Sequence, residues 1–358
     1  MKVYRRYLGR EASAAILLVL LAFLVLFSFF DVLAEVKNVG QGGYKLRHAF
    51  AFVLLRLPGR AYELMPIAVL IGTLYALTTL ARHSEITVLR VSGLSTIALL
   101  NGLFLVAAVF AGLTFLLGEY VAPPAEKAAH QMRLKERGRM VGQDLRSGLW
   151  VKDERSFINV RVVLPDTRLR GIRIYTFDEQ AKLNSVIEAA AGEHVVPDGW
   201  HLTEIVQTTL SSDRAEVQRM PEMLWRSALN PDILAVLMVS PERMSLRHLS
   251  AYTKHLADNR QTTNRYDIAF WKKITYPLAA FVMVALALPF AAGPARVAGG
   301  AGLKVFSGVM VGILFHMLNG LFSNLGAINS WSPLLSAVTP SALFLLAAMG
   351  MIWWVERR

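Results

Sequence analysis

The side chains best able to bind something come from three distant stretches: Lys37, Lys45 and Arg47, then His130 and Arg133, then Lys272 with Lys273. Lysine and arginine hold phosphate through charge-assisted hydrogen bonds, which strengthen where water is partly excluded. Near the ends of apolar runs the same residues also suit plain snorkelling to anionic headgroups. Their types and positions leave both readings open.

Covalent chemistry has no comparable candidates. With no cysteine, the chain lacks thiolate nucleophiles, disulfides and thiolate metal sites. HExxH, GxSxG and GxxxxGK followed by Ser or Thr are all missing, so no catalytic residue and no metal site is assigned. Gly299-Gly300-Ala301-Gly302-Leu303-Lys304 resembles a phosphate loop only superficially, and a flexible turn is expected there. Any driving nucleotide would have to sit on another subunit.

A third feature is the polar stretch between two apolar runs, Ser84-Glu85-Ile86-Thr87-Val88-Leu89-Arg90. It predicts a short helix capped by Ser84, with Ile86, Leu89 and Gly93 along one side. Glu85 falls in the first turn, where the helix dipole favours an acid. Such a helix, near 84–94, fits either a partner's groove or a mere connector; in the first case Glu85, Ile86, Leu89, Arg90 and Gly93 form the coupling surface.

Membrane spans must position all of these groups. Of 358 residues 54% are hydrophobic and only 18% charged, against about 25% charged in soluble domains. Residues 121–265 carry 39 of the 64 charged side chains, 21 basic and 18 acidic. The chain therefore reads as apolar flanks around a water-exposed middle. A span needs about 20 mainly apolar residues, and six are expected, near 11–33, 58–80, 96–119, 270–291, 303–324 and 333–355. The 19-residue uncharged core of the first (12–30) is too long for a cleaved signal peptide. Pro123-Pro124 are expected to end the third span, and Asn324–Pro333 to form a turn between the last two. Within the spans Asn101, His316 and Asn319 suggest interhelical hydrogen bonds, and Gly308 with Gly312 a close-packing seam. Trp331, Trp353 and Trp354 suit the headgroup level.

Short-loop Lys and Arg favour both termini inside and the 150-residue middle outside, with Lys2, Arg5, Arg6, Arg10, Arg82 and Arg90 among the inner set. The net charge of +12 belongs to these membrane-flanking positions and does not point to nucleic acid.

In the middle the apolar period becomes two. Ile158, Val160 and Val162 share one face, Ile172 and Ile174 repeat the alternation, and Leu183–Ala191 and Trp200–Leu210 read as further strands. Pro165-Asp166 and Pro197-Asp198-Gly199 mark breaks. The expected organisation is 1–120 for spans one to three, 121–147 for a linker with a charged helix, 148–245 for an all-β domain, 246–265 for a return linker and 266–358 for spans four to six. The fold class is a membrane α-helical bundle with an inserted all-β domain, a curled sheet or two layers.

Arg6-Tyr7-Leu8-Gly9, Gly40-Gln41-Gly42, Ser84-Glu85 with Ser92-Gly93, Gly118-Glu119-Tyr120-Val121-Ala122-Pro123 and Gly148-Leu149-Trp150, in this order and spacing, resemble the lipopolysaccharide export permeases of the LptF/LptG family, closest to the G-type subunits, along nearly the whole chain. The resemblance implies a non-catalytic permease of a Gram-negative inner membrane that draws lipopolysaccharide from the outer leaflet. Implied partners are a homologous F-type permease subunit, a dimeric B-type ATPase that binds ATP and Mg, a C-type single-span subunit and an A-type periplasmic bridge protein. The middle domain would be a periplasmic jellyroll-like unit. Lys37, His130 and Arg133 would fall among basic positions that contact substrate, with departures at Asp31 and Asn38, and Glu85 would lie in the element received by the ATPase. A permease exporting lipoproteins or peptides would more commonly show four spans. An enzyme acting on lipid-linked glycans would need clustered carboxylates, whereas Glu63, Glu119 and Asp267 stand singly. A pure scaffold is separated only by a partner assay.

Overall fold

The computed structural model describes residues 2–137, 148–164, 168–195, 199–211, 214–227, 240–292 and 300–357. Among them, six helical stretches are long and apolar enough to cross a membrane: Tyr4–Val36, Leu46–Arg82, Thr96–Arg137, Asn264–Ala291, Gly302–Ile328 and Pro333–Trp354. The Pro165-Asp166 break, residues 138–147 of the linker and part of the 148–245 domain lie outside the described residues.

Helix α1 (Lys2–Val36) packs on α2 (Leu46–Arg82). The crossing is close because Gly72 has no side chain: a Cβ there would stand 2.4 Å from Ile16 Cα. The buried helix α2 takes this central place through Met65, Ala68, Val69, Leu74 and Leu77, which bury against α1 and its other neighbours. Its 37 residues rise about 55 Å, well beyond a hydrocarbon core of about 30 Å. It starts earlier than the expected 58, so Arg60 and Glu63 lie well inside the helix.

The short α3 (Glu85–Val91) follows, then α4 (Thr96–Leu116), whose N-cap Ser95 accepts from Ala98 N–H. Pro123-Pro124 do not end this span. A π-helical turn (Leu117–Val121), closed by Ala122 N–H to Leu117 O, leads directly into α5 (Ala122–Arg137). Both prolines fall in the first turn of α5, where a missing N–H costs little, and the extra residue of the π turn carries the chain past their rings.

Six strands follow: β1 (Leu149–Asp153), β2 (Ser156–Val163), β3 (Leu169–Phe177), β4 (Leu183–Val195), β5 (Gly199–Leu210) and β6 (Ala215–Trp225). They form one antiparallel sheet in sequential order. One face buries Ile158, Val160, Ile172, Ile174, Trp200, Leu202 and Ile205. Val162, expected on that face, yields its place to Val163. Gly171 has φ +64° opposite this point, and that left-handed residue lets both strands exchange faces together.

The return runs through a 3-10 turn (Pro241–Arg243), α6 (Leu246–Asp258) and α7 (Asn264–Thr275), then a second 3-10 turn (Tyr276–Leu278) and α8 (Ala279–Ala292). Helices α9 (Gly300–Ile328) and α10 (Pro333–Glu356) complete the bundle. Gly300–Lys304 is the first turn of α9 and not a flexible turn; Gly299 lies outside the described residues. The glycine seam belongs to this chain, since Cβ atoms at Gly308 and Gly312 would stand 2.8 Å from Leu74 and 3.0 Å from Ile67 of α2. Among the described residues the polar span residues Asn101 and Asn319 do not form the expected interhelical side-chain bonds. Asn319 donates to Phe315 O within its own helix at 3.0 Å, and Asn101 points outward.

Six spans put both termini and α3 at one end of the bundle. The loop 37–45, α5, the sheet and the turn 329–332 lie at the other.

Candidate functional site

The projecting start of α2 and the whole of α5 lie side by side at the sheet end, joined through Phe52, Val53 and Ala129. The loop after α1 closes against them: Gly43 N–H donates to Glu136 O at 2.8 Å, and Arg137 donates to Gln41 Oε1. This platform gathers the first two groups of expected basic residues. Lys37, Lys45 and Arg47 are exposed on it, while His130 and Arg133 are half-buried. Their neighbours are acidic. Arg133 faces Glu35 at 3.5 Å and lies 4.6 Å over the Phe52 ring, and His130 Nε2 is 3.2 Å from Glu126 Oε1. Tyr44 donates to Glu35 at 3.0 Å; burial, then this bond, pushes its phenol upward. Asp31, which departs from the resemblance, is neutralised by a two-pronged Arg60 at 2.7 and 2.9 Å.

The third group lies deeper, in a cavity of about 390 Å³ between α2, α5, α7 and α9. Lys272 and Lys273 line it together with Arg56, Arg60 and Arg243, against the carboxylates Glu63, Glu126 and Glu242. Lys272 donates to Ser323 Oγ at 3.3 Å. Lys273 is buried and donates to Met244 O. His316 and Asn319 also line the cavity. The structure therefore forms two basic zones, an exposed platform and a deeper, part-open cavity. Glu126 connects them, paired with His130 on one side and Arg56 and Arg243 on the other.

Sequence reasoning missed Glu126, Arg243 and the cavity role of Arg56 and Arg60. A signal was present: Arg56, Arg60 and Glu63 stand at helical spacing at the head of an apolar run, where charge is costly unless paired. Their acidic partners lie 29 and 70 residues away, at Asp31 and Glu126, beyond the reach of any local pattern.

At the opposite end α3 forms over Glu85–Val91, but Ser84 does not cap it. Ser84 takes the left-handed conformation, φ 60°, and its side chain makes no cap bond. Gly93 ends the helix at φ +92°, with Leu94 N–H on Leu89 O and Gly93 N–H on Arg90 O. Ile86 packs against the bundle core, and Glu85 and Leu89 are half-buried. Val88 and Val91 point outward, 66% and 85% exposed, beside the exposed Arg90.

Among the described residues no group of three or more His, Cys, Asp or Glu could hold a metal ion. Two of the single acids have structural tasks. Glu119 accepts from Leu246 N–H at the start of α6, and Glu63 accepts from Arg60.

Residues 6–356 match the family described as lipopolysaccharide export system permease LptF/LptG. The chain is 32% identical over 358 residues to the lipopolysaccharide export system permease protein LptG of Escherichia coli, covering 98% of each. To the protein of the same name from Haemophilus influenzae it is 29% identical over 354 residues, covering 99% of this chain and 98% of the relative.

Proposed function

The chain belongs to the lipopolysaccharide export system permease LptF/LptG family, and from that membership we propose how it works. It is a lipopolysaccharide export permease subunit and a multi-pass inner-membrane protein. The observation that carries this is the family match along residues 6–356, spanning bundle and sheet alike.

The chain itself performs no covalent step. Its task is to give a multi-acyl anionic lipid a protein-lined route. Each acyl CH₂ exposed to water costs about 0.8 kcal/mol, so a bare passage would cost tens of kcal/mol. Helices α1 and α9 turn apolar side chains outward, among them Leu18, Leu21, Phe30, Phe306, Ile313 and Met317, surfaces suited to acyl tails and to a homologous F-type partner. Lys37, Lys45 and Arg47 meet the substrate phosphates on the platform, with His130 and Arg133 behind them. Lys272 and Lys273 offer charge from the cavity. The sheet end faces the periplasm and hands substrate to an A-type bridge protein. Both termini and α3 face the cytoplasm, where a dimeric B-type ATPase holding ATP and Mg receives α3, and a C-type single-span subunit completes the assembly. The surfaces turned to that ATPase are Glu85, Ile86, Leu89, Arg90 and Gly93, extended by Val88 and Val91.

Purification of the native complex from membranes, with mass analysis of bound lipid and subunits, tests the reading. Lipopolysaccharide and an ATPase are expected in stoichiometric amount, and an assembly with neither would sink it. Lys37→Ala with Arg133→Ala tests the phosphate role. Crosslinking to lipopolysaccharide should fall more than crosslinking to simple phospholipid, and equal loss would leave only headgroup snorkelling.

A further inference from the structure

Where the chain comes back from the sheet, residues 241–246 are held by buried charge from separate spans. Glu126 on α5, 4% exposed, accepts from Arg243 and from Arg56 of α2, with His130 beside it. Glu119 in the π turn binds Leu246 N–H with both oxygens, at 2.8 and 3.1 Å, and so caps α6 across 127 residues of sequence. Lys273 of α7, 5% exposed, donates to Met244 O. The far end of α6 then grips the sheet: Asn259, its buried C-cap residue, accepts from Glu154 N–H at 2.6 Å, in the turn joining β1 to β2. Between these grips α6 packs on α7 through Leu249, Tyr252, Leu256 and Ala269.

Burying Glu126 and Lys273, with Glu119 half-buried beside them, to hold one turn of backbone is costly unless the geometry is well satisfied. A hydrophobic patch would anchor a passive linker at less cost. Charge supplies direction and register, since each carboxylate accepts only from donors placed around it. The π turn matters as well, because it brings Glu119 to the start of α6 while α5 carries Glu126 on toward Arg243.

We propose that residues 241–246 form a charge-locked joint, with Glu126 and Glu119 as positioning residues, that makes the sheet move as one body with the third and fourth spans. Any rotation of those spans is then delivered to the sheet through α6 and the Glu154–Asn259 bond, and no separate hinge absorbs it. This rests on the export reading for its use, though not for its existence.

The chain has no cysteine, so single cysteines can be introduced cleanly at the exposed Val217 of β6 and Lys127 of α5 for spin-label distances in the lipid-embedded native complex. Glu126→Gln is expected to broaden that distribution and to lower lipopolysaccharide exported per ATP hydrolysed about threefold to tenfold. Arg243→Met provides a second variant that leaves Glu126 paired with Arg56 and His130, so folding is spared, and the same two changes are expected. An unchanged distance distribution in both variants overturns the joint. Broadened distances with wild-type export per ATP overturn its role in transmission. A wild-type complex that exports no lipopolysaccharide would sink the functional reading alone, while the distances still decide the joint.

Discussion

At the sheet end of the bundle, Glu126 and Glu35 are buried and Glu119 half-buried among arginines, a tyrosine and a backbone donor. At the opposite end, α3 turns Val88, Val91 and Arg90 outward and keeps only Glu85, Ile86 and Leu89 half inside. One end spends desolvation on fixing its own parts. The other leaves apolar and charged surface uncommitted. In the proposed reading both have a reason: the end that carries an attached domain must hold its geometry, while an end offered to a partner must leave contact surface open. The difference is also one of range. Bonds at the sheet end reach partners as far as 29, 70 and 127 positions away, whereas the backbone bonds that close α3 stay within residues 84–94.

The contrast is broken most severely at Glu126. Glu126→Ala leaves Arg56 and Arg243 facing a void, and removing one partner of a buried charge network costs about 3 kcal/mol. Thermal unfolding in detergent should show it as the largest loss among these variants. A loss below about 1 kcal/mol would mean that water reaches the network freely. Arg60→Met comes next. The two bonds to Asp31 and one to Glu63 are lost from a half-buried site, which is expected to cost about 1.5 kcal/mol by the same measurement.

Gly93→Ala acts at the other end and by another route. A Cβ there meets nothing within 4 Å, so the cost comes only from the left-handed backbone at φ +92°, about 1 kcal/mol. Hydrogen exchange should speed up across residues 85–94 while the sheet end remains protected. Faster exchange at both ends would show that the two are energetically coupled.

How much of this was legible in the sequence follows the same division. The spans were legible because each is a mainly apolar run of membrane-crossing length, and the strands because alternation at Ile158, Val160, Ile172 and Ile174 is local. Where local rules met an unusual backbone they failed. Pro123-Pro124 looked like a stop, but a π turn absorbs them. Ser84 looked like a cap, but its own φ of 60° aims the hydroxyl away. Val162 lost its place to Val163 because Gly171, nine residues later in sequence and across the sheet, reverses the alternation. The basic residues were all visible, yet their division into an exposed platform and a deeper, part-open cavity was not. It depends on how far α2 projects and on which acid each arginine reaches, and Asp31, Glu35 and Glu126 carry no local mark of being partners.

The smallest stability effect, and the sharpest test of the contrast, is expected from Val88→Ser combined with Val91→Ser. Both side chains are mostly exposed, so exchanging them removes almost no buried surface, and stability should stay within about 0.5 kcal/mol of wild type. Ile86→Ser, on the half-buried side of the same helix and packed on the bundle core, should cost more, because it strips apolar contact from the chain's own interior. If α3 is the surface that a partner grips, the harmless double variant should still depress lipopolysaccharide export per ATP in the intact complex, since both valines face outward. Ile86→Ser would then lower both stability and export. A double variant with normal export would place the partner's grip on the Glu85, Ile86 and Leu89 side, and would require α3 to lift from the bundle before it could be held.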